Sequence, residues 1–404
     1  MNITTTISGL DREVRFGDVR YPFSVRSGAG SWQELTQRLE ELDADRFVIV
    51  TEHGIPASLV AHAQMQLSSV APCQVIDFAA SEKTKTVATL DDLADKALIG
   101  KVTRQSVIVA LGGGLAGNVA GLLAALLFRG IRLVHMPTTL LGMSDSVLSL
   151  KQAVNSGCGK NHLGTFHEPV LVWNHLDFLD TLPRAEIQSA LCEMIKNVLA
   201  ICPDRYDEVA TRLRTDGRYS RETLTDFIGL CVDAKCAVMR YDPFEKGEAL
   251  VLEYGHTVGH AAELLTGGKL RHGFAIGVGM LVAARIAVQL GYLDRSDEAA
   301  HRALLQRNGA PTTLPAELDL DSLMQAVGLD NKRGYRPELP GTQGLILLDG
   351  LGRPHHSDGS LITRIDEAVI HAGIAALLPG SSKRIRTHSD QPRTLVAARG
   401  SEQR

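Results

Sequence analysis

The sequence predicts an α/β protein with a parallel sheet in the first half and a mainly helical second half. Three observations carry that expectation. Short β-branched runs alternate with helical patterns up to about residue 182, a glycine-rich turn closes one of those runs, and long segments of helical period take over from Pro183.

The runs are "RFVIVTE" (46–52), "CQVIDF" (73–78), "QSVIVALGGG" (105–114), "IRLVHMPTT" (131–139) and "PVLVWNH" (169–175). Each is a short apolar stretch bounded by turn-forming residues, as a strand covered on both faces requires. Helices are expected over 184–201, 221–240, 249–266 and 273–291. "GTQGLILLDGLGRPHHS" (341–357) reads as a small hairpin and "LITRIDEAVIHAGIAALL" (361–378) as a closing helix. The polar, basic stretch 379–404 has no period and is expected to be a disordered tail. The expected division is therefore 1–182, 183–378 and the tail.

A chain of 404 residues is long enough for two domains with sizeable cores. Its 44% hydrophobic and 22% charged residues exclude a disordered or fibrous chain. Net charge is −4, so nothing points to nucleic acid as a partner. The N-terminus has no basic start followed by an apolar run, and "AGNVAGLLAALLF" (116–128) is too short to span a bilayer, so no membrane is expected. The six cysteines (73, 158, 192, 202, 231 and 236) contain no CxxC and are expected to be reduced and mostly buried in a cytoplasmic protein.

In "VIVALGGGLAGNVAG" (107–121), Gly112, Gly114 and Gly117 follow a strand and open a helix with the G-x-G-x-x-G spacing. Glycines let the backbone approach a pyrophosphate, and the helix N-terminus offers free N–H groups, so a Rossmann-like dinucleotide site is the expectation. No acid ends the next strand, which leaves Glu52 and Glu82 as candidates for the ribose. The stretch 138–161 then brings Asp145, Lys151, Lys160 and Asn161 into a loop-rich segment. In "LCEMIKNVLA" (191–200), Glu193 and Lys196 stand at i and i+3 of an apolar helix, where a lone carboxylate would be costly.

"LVLEYGHTVGHAAELL" (250–265) reads as one helix with Glu253, His256 and His260 on a single face. A carboxylate with two imidazoles is a common set for a catalytic zinc, and cobalt or iron would suit it too. Thr257 stands where HExxH metalloproteases carry their glutamate, which excludes that protease base. His272, in "KLRHGFAIG", supplies a third imidazole at the start of the next helix.

The stretches "GGGLAGNVAG", "FRG", "PTT", "SDSVLSLKQAVN", "GKN", "CEMIKN", "EYGHTVGHA", "HGFAIGVGM" and "DNKRGY" together resemble the dehydroquinate synthase superfamily of sugar phosphate cyclases. The resemblance runs in family order from about residue 80 to 335. It implies an N-terminal NAD domain, a C-terminal metal-binding domain, a homodimer, and an NAD-dependent lyase that closes a carbocycle with one divalent cobalt or zinc ion. By the same resemblance, Glu193, His256 and His272 would hold the metal, and Lys151 and Glu253 would be the acid/base residues. Asp145, Lys160, Asn161, Lys196, Lys235, His260 and Lys332 would bind the substrate, and Arg129 would reach its phosphate from a neighbouring subunit. The dinucleotide would be bordered by Glu52, Glu82, Lys83, Thr84, Lys85, Gly114, Leu115, Ala116, Gly117, Asn118, Thr138, Thr139, Ser149 and Leu150.

Within that superfamily, dehydroquinate synthases are expected to carry Asn just before "YGH" and Arg four residues earlier, to pair with a substrate carboxylate. Here those positions are Glu253 and Ala249. A carboxylate substrate would face another carboxylate with no guanidinium, a mismatch of several kcal/mol in a desolvated site. A sugar phosphate without a carboxylate, such as glucose 6-phosphate, fits better. An iron-type alcohol dehydrogenase would share the fold and glycine loop but would accumulate NADH. A non-catalytic sugar-phosphate or nucleotide sensor would have no need to keep Lys151, Glu193, Glu253, His256 and His272 together.

Overall fold

The structure is a computed structural model that describes residues 9–157, 159–329, 335–337 and 339–379. The tail expected after residue 379 and Lys332 therefore lie outside the described residues.

The first half opens with the hairpin β1 (Leu10–Phe16) and β2 (Val19–Arg26), followed by α1 (Ser31–Glu40), β3 (Phe47–Glu52), α2 (Ala57–Ser68), β4 (Cys73–Phe78), α3 (Val87–Ile99), β5 (Val107–Gly112), α4 (Gly114–Leu126) and β6 (Arg132–Pro137). A second hairpin, β7 (Lys151–Ser156) and β8 (Gly159–Phe166), precedes β9 (Leu171–His175). Seven strands form one sheet in the order β1-β2-β9-β6-β5-β3-β4, with only the β1–β2 pair antiparallel. The five runs read from the sequence are β3, β4, β5, β6 and β9. Alternation splits their side chains between two cores: Phe47, Ile49, Val107 and Val109 pack on one face, and Val48, Val50, Ile108 and Ala110 pack on the other.

Chain order reverses between β3 and β5, which lie side by side while β4 lies beyond β3 and β6 beyond β5. In an open parallel sheet the crevice at that point, outside the carboxyl ends of the strands, is where ligands bind. Glu52 ends β3, and the glycine turn follows β5.

The second half contains α5 (Arg184–Ala200), α6 (Tyr206–Arg212), α7 (Arg221–Met239), α8 (His256–Leu265), α9 (His272–Gln289), α10 (Arg295–Arg307) and α11 (Leu320–Val327). It ends with β10 (Thr342–Ile346), β11 (Leu348–Gly350), β12 (Arg353–Pro354), β13 (Ile362–Asp366) and α12 (Glu367–Ala375). α9 is long and apolar enough to cross a membrane, but 72% of it is buried at the centre of the helical half. Gly273 lets it come that close: a Cβ there would sit 1.8 Å from the carbonyl oxygen of Ser189 on α5.

Four expectations need correction. The helix read over 249–266 is broken: Glu248–Glu253 form a 3₁₀ turn, Gly255 takes φ +81°, and α8 begins only at His256. Glu253 therefore does not share a helical face with His256 and His260. The supposedly loop-rich stretch 138–161 is a π-type turn, Gly142–Ser146, leading into the β7–β8 hairpin, whose strands pair antiparallel. The closing helix 361–378 is split between β13, which pairs with β10, and α12, so the terminal hairpin is a small β11–β12 pair nested inside a longer one. Among the described cysteines, all free, only Cys192 and Cys231 are buried; Cys73, Cys202 and Cys236 are partly exposed.

The break at Gly255 is fixed from both sides. A Cβ there would meet Met280 Cγ at 2.7 Å and the Met280 nitrogen at 2.8 Å, while the Tyr254 hydroxyl donates to His301 Nε2 at 2.9 Å. His301 Nδ1 donates to the Asp297 carbonyl at 2.7 Å, so its neutral tautomer is set. Gly255→Ala, strained in φ and overpacked, is expected to cost about 2–5 kcal/mol, read as a lowered urea midpoint; an unchanged midpoint would refute this account of the turn. Burial pushes the His301 imidazole down to about 4 from its ordinary 6.5. The unfolded chain then binds the extra proton between those values, so this contribution to stability is complete above about pH 6.5 and is lost as pH falls toward 4. His301→Gln should flatten that loss in urea titrations run across the interval.

Candidate functional site

At the sheet crevice, Glu52 Oε1 accepts the N–H of Gly113 at 2.8 Å, directly at the start of α4. Burial raises the Glu52 carboxyl, opposed by the N–H groups of Gly113 and Ala116. Of the two ribose candidates, Glu52 lies at the glycine turn. Glu82 lies close enough for its charge to act on Glu52, and its carboxylate accepts from Asn155 Nδ2 at 2.9 Å. A Cβ on Gly112 would stand 2.5 Å from that of Ala116, and Gly114 and Gly117 line a narrow crevice with Asn118, His135 and Ser146. Leu115 and Ala116 complete the first turn of α4. Asn118 ties that helix to β7, donating to the Gly114 carbonyl at 2.9 Å and accepting from the Ala153 N–H at 3.3 Å.

Of the other residues assigned to the dinucleotide, Thr138 and Thr139 meet this turn and the rest lie on nearby loops. The Thr138 N–H donates to the Gly112 carbonyl at 2.8 Å, and Thr139 Oγ1 accepts from the Gly142 N–H at 3.0 Å. Ser149 Oγ accepts from the Lys151 N–H at 3.2 Å, and Leu150 is buried beside it. Thr84 Oγ1 folds its own loop by donating to the Ala79 and Ser81 carbonyls, and Lys83 is exposed. Lys85 is buried, which lowers its ammonium, and its Nζ donates to Asn161 Oδ1 at 2.5 Å. That bond ties the loop after β4 to the hairpin.

The hairpin in turn faces the helical half through ion pairs. Lys151 Nζ lies 2.5 Å from Glu245 Oε2, and Lys160 Nζ lies 3.2 Å from Glu263 Oε1. The surrounding protein disfavours the Lys151 ammonium, but the carboxylates of Glu245 and Glu253 outweigh it and hold the group above its usual range. In the π-type turn, Asp145 Oδ1 pairs with buried Lys235 at 2.8 Å. The charge of Glu253 reaches Lys151, Lys196 and His256, so Glu253 joins this site from its 3₁₀ turn rather than from the helix face.

α5, α8 and α9 converge on Glu193. Its Oε2 accepts from Lys196 Nζ at 2.5 Å, both side chains being almost wholly buried. Its Oε1 is also buried and accepts no well-formed hydrogen bond, yet it points at His256 Nε2, 3.6 Å away, and His272 Nε2, 3.3 Å away. His256 Nδ1 donates to the Tyr254 carbonyl at 3.2 Å and His272 Nδ1 to Glu263 Oε2 at 3.0 Å, so in the neutral rings it is Nε2 that carries the lone pair. Burial would raise the Glu193 carboxyl, but Lys196 and the two imidazoles hold it well below the usual range. Burial alone would lower His272, but Glu193 and Glu263 lift it to about 10. Two carboxylates thus hold a positive charge at this point. One carboxylate oxygen with spare lone pairs and two oriented imidazoles suits a divalent cobalt or zinc ion, whose binding would displace the His272 proton.

His260 is brought to the same place: ligand nitrogens of His256, His260 and His272 lie within 4.8 Å of one another. The geometry does not separate it from the two imidazoles that the resemblance assigns to the metal. Arg129 is exposed, three residues beyond the far end of α4, whose length of roughly 20 Å separates that end from the glycine turn.

Two residues escaped the sequence reading. Glu263 follows His260 by three positions, so helical spacing alone could have placed it beside the imidazoles. Glu245 had no such signal: it sits at φ +52° in a loop whose backbone N–H groups at 246, 247 and 249 all donate to the Asp242 carboxylate.

Residues 75–189 match the family described as 3-dehydroquinate synthase N-terminal, and residues 190–333 match 3-dehydroquinate synthase C-terminal. The chain is 45% identical to a 2-deoxy-scyllo-inosose synthase of Streptoalloteichus tenebrarius, covering 94% of this chain and 96% of that one. It is 39% identical to the corresponding synthase of Niallia circulans, covering 89% and 97%. A crystal structure of 2-deoxy-scyllo-inosose synthase complexed with carbaglucose-6-phosphate, NAD+ and Co2+ superposes with a TM-score of 0.87 at 36% identity, over 91% of this chain and all of the other. A 2-epi-5-epi-valiolone synthase from Streptomyces hygroscopicus with NAD+ and Zn2+ bound shares the fold at 21% identity and a TM-score of 0.75, over 92% and 99%.

Chelator-stripped protein is expected to take up one Co2+ per chain in calorimetric titration, and His256→Ala to weaken that binding by roughly 100-fold or more. Unchanged affinity in the variant would place the ion elsewhere.

Proposed function

The chain belongs to the 3-dehydroquinate synthase family, and we propose that within it the protein converts D-glucose 6-phosphate to 2-deoxy-scyllo-inosose and phosphate. The observation that carries this reading is Glu253, set among Lys151, Lys196 and His256 with buried Ala249 four residues before it. No guanidinium stands at position 249 to receive a substrate carboxylate, and Glu253 would repel one. The product is the carbocycle from which the 2-deoxystreptamine ring of aminoglycoside antibiotics is made.

The reaction proceeds by transient oxidation at C4, loss of the C5 proton with departure of phosphate from C6, re-reduction at C4, ring opening and aldol closure of C6 onto C1. When bound, NAD+ supplies reversible hydride acceptance, and a divalent ion held by Glu193, His256 and His272 supplies Lewis acidity. Glu253 is the carboxylate available to move a proton in elimination or cyclisation. Lys151, kept protonated by Glu245, holds a substrate hydroxyl or phosphate oxygen as a donor. Lys196 and Lys235 are buried against Glu193 and Asp145, whereas Lys151 and Lys160 are about half exposed and have the reach to meet an anionic substrate. Asn161, anchored by Lys85, and His260, beside the other two imidazoles, are assigned to the same substrate.

The same reading keeps 1–182 as the NAD domain and 183–378 as the metal and substrate domain, in a cytoplasmic homodimer. The distance of Arg129 from the site of its own chain supports a role across a subunit boundary.

Incubation with glucose 6-phosphate, NAD+ and Co2+ is expected to release phosphate and yield a carbocyclic ketone by mass, with no lasting NADH absorbance. Glu253→Gln should lower kcat by roughly 10²-fold while leaving NAD+ binding intact. Turnover of a heptulosonate phosphate instead of glucose 6-phosphate would overturn the substrate assignment, and unchanged turnover in the variant would overturn the role of Glu253.

A further inference from the structure

The two imidazoles that face Glu193 are oriented by different groups. The Nδ1 partner of His256 is a backbone carbonyl, fixed by the chain itself. The Nδ1 partner of His272 is the carboxylate of Glu263, a largely buried side chain from another helix. His272 is the first residue of α9, and the backbone that precedes it is not helical, so the local chain does little to fix the ring. Glu263 also reaches out of the cluster, its other oxygen lying 3.2 Å from Lys160 Nζ on β8. One carboxylate thus touches both a ring that faces Glu193 and a cation on the substrate side.

We propose that Glu263 is a positioning residue for the metal: Oε2 holds His272 in the tautomer and orientation that present Nε2, and Oε1 links that ring to the hairpin through Lys160. A carboxylate behind a ligating imidazole fixes the ring and strengthens it as a donor, and loss of such a partner commonly weakens metal binding 10- to 100-fold. Lys160 leaves the carboxylate ionised and held in place rather than free to turn toward solvent. The proposal rests on the reading of Glu193, His256 and His272 as the metal ligands.

The test is calorimetric titration of metal-free protein with Co2+, with the visible absorption of the bound ion recorded alongside and the melting temperature of each metal-free form as a control. Glu263→Gln, close in shape but uncharged, is expected to weaken Co2+ roughly 10- to 100-fold and to alter the visible spectrum, with the metal-free melting temperature nearly unchanged. Were that variant not to fold, Glu263→Asp, which keeps the charge on a shorter arm, should still weaken binding several-fold. Wild-type affinity and spectrum in a folded Glu263 variant would overturn the inference. If His256→Ala abolishes binding in that same experiment, only the role of Glu263 falls. If His256→Ala also binds normally, the assignment of the metal site falls with it.

Discussion

Everything in the helical half is arranged around one buried charge. Glu193 sits inside an apolar helix with one oxygen neutralised by Lys196 and the other left without a hydrogen bond. A buried carboxylate in that condition is tolerated only if a further positive group faces it. Meeting that demand requires three helices to approach one another closely, which is why α9 lies against α5 with no room for a side chain at position 273. The imidazoles of His256 and His272 are delivered by two helix N-termini that end on the same atom.

The first half solves a different problem, the reception of an anion, with backbone rather than side chains. The helix that starts after the glycine turn presents free N–H groups at the switch point of the sheet, and one of them already holds Glu52. Between the two halves stands the β7–β8 hairpin, which touches the sheet side through Lys85 and the helical side through Glu245 and Glu263. Its two lysines are tied to the helical side, and its Asn161 to the sheet side. That arrangement brings together residues 76 to 103 positions apart in the chain.

Much of this was legible in the sequence where the signal was local. Five of the seven strands of the main sheet announce themselves as β-branched runs, the glycine spacing marks the turn, and Glu193 with Lys196 can be paired by helical arithmetic. What could not be read depended on distant contacts. The pattern from 249 to 266 has helical period throughout, and only the packing of Met280 and the hydroxyl of Tyr254 against His301 shows that the helix restarts at His256. Glu245 gains its place from an Asp242 carboxylate that gathers three backbone N–H groups, and no periodicity encodes that. β13 is a strand because β10 is there to pair with it, although its own sequence reads as the start of a helix.

The interruption at Gly255 separates two tasks that a continuous helix would have joined. Glu253 belongs to a short turn, whereas His256 and His260 belong to the rigid body of α8. Under the proposed function, the residue assigned to proton transfer can then be exchanged without rotating the imidazoles. In evolutionary terms the proposed function makes the scaffold modular at this point: one position on the turn would set which charge a substrate must lack, while the helix beyond it remains a fixed platform.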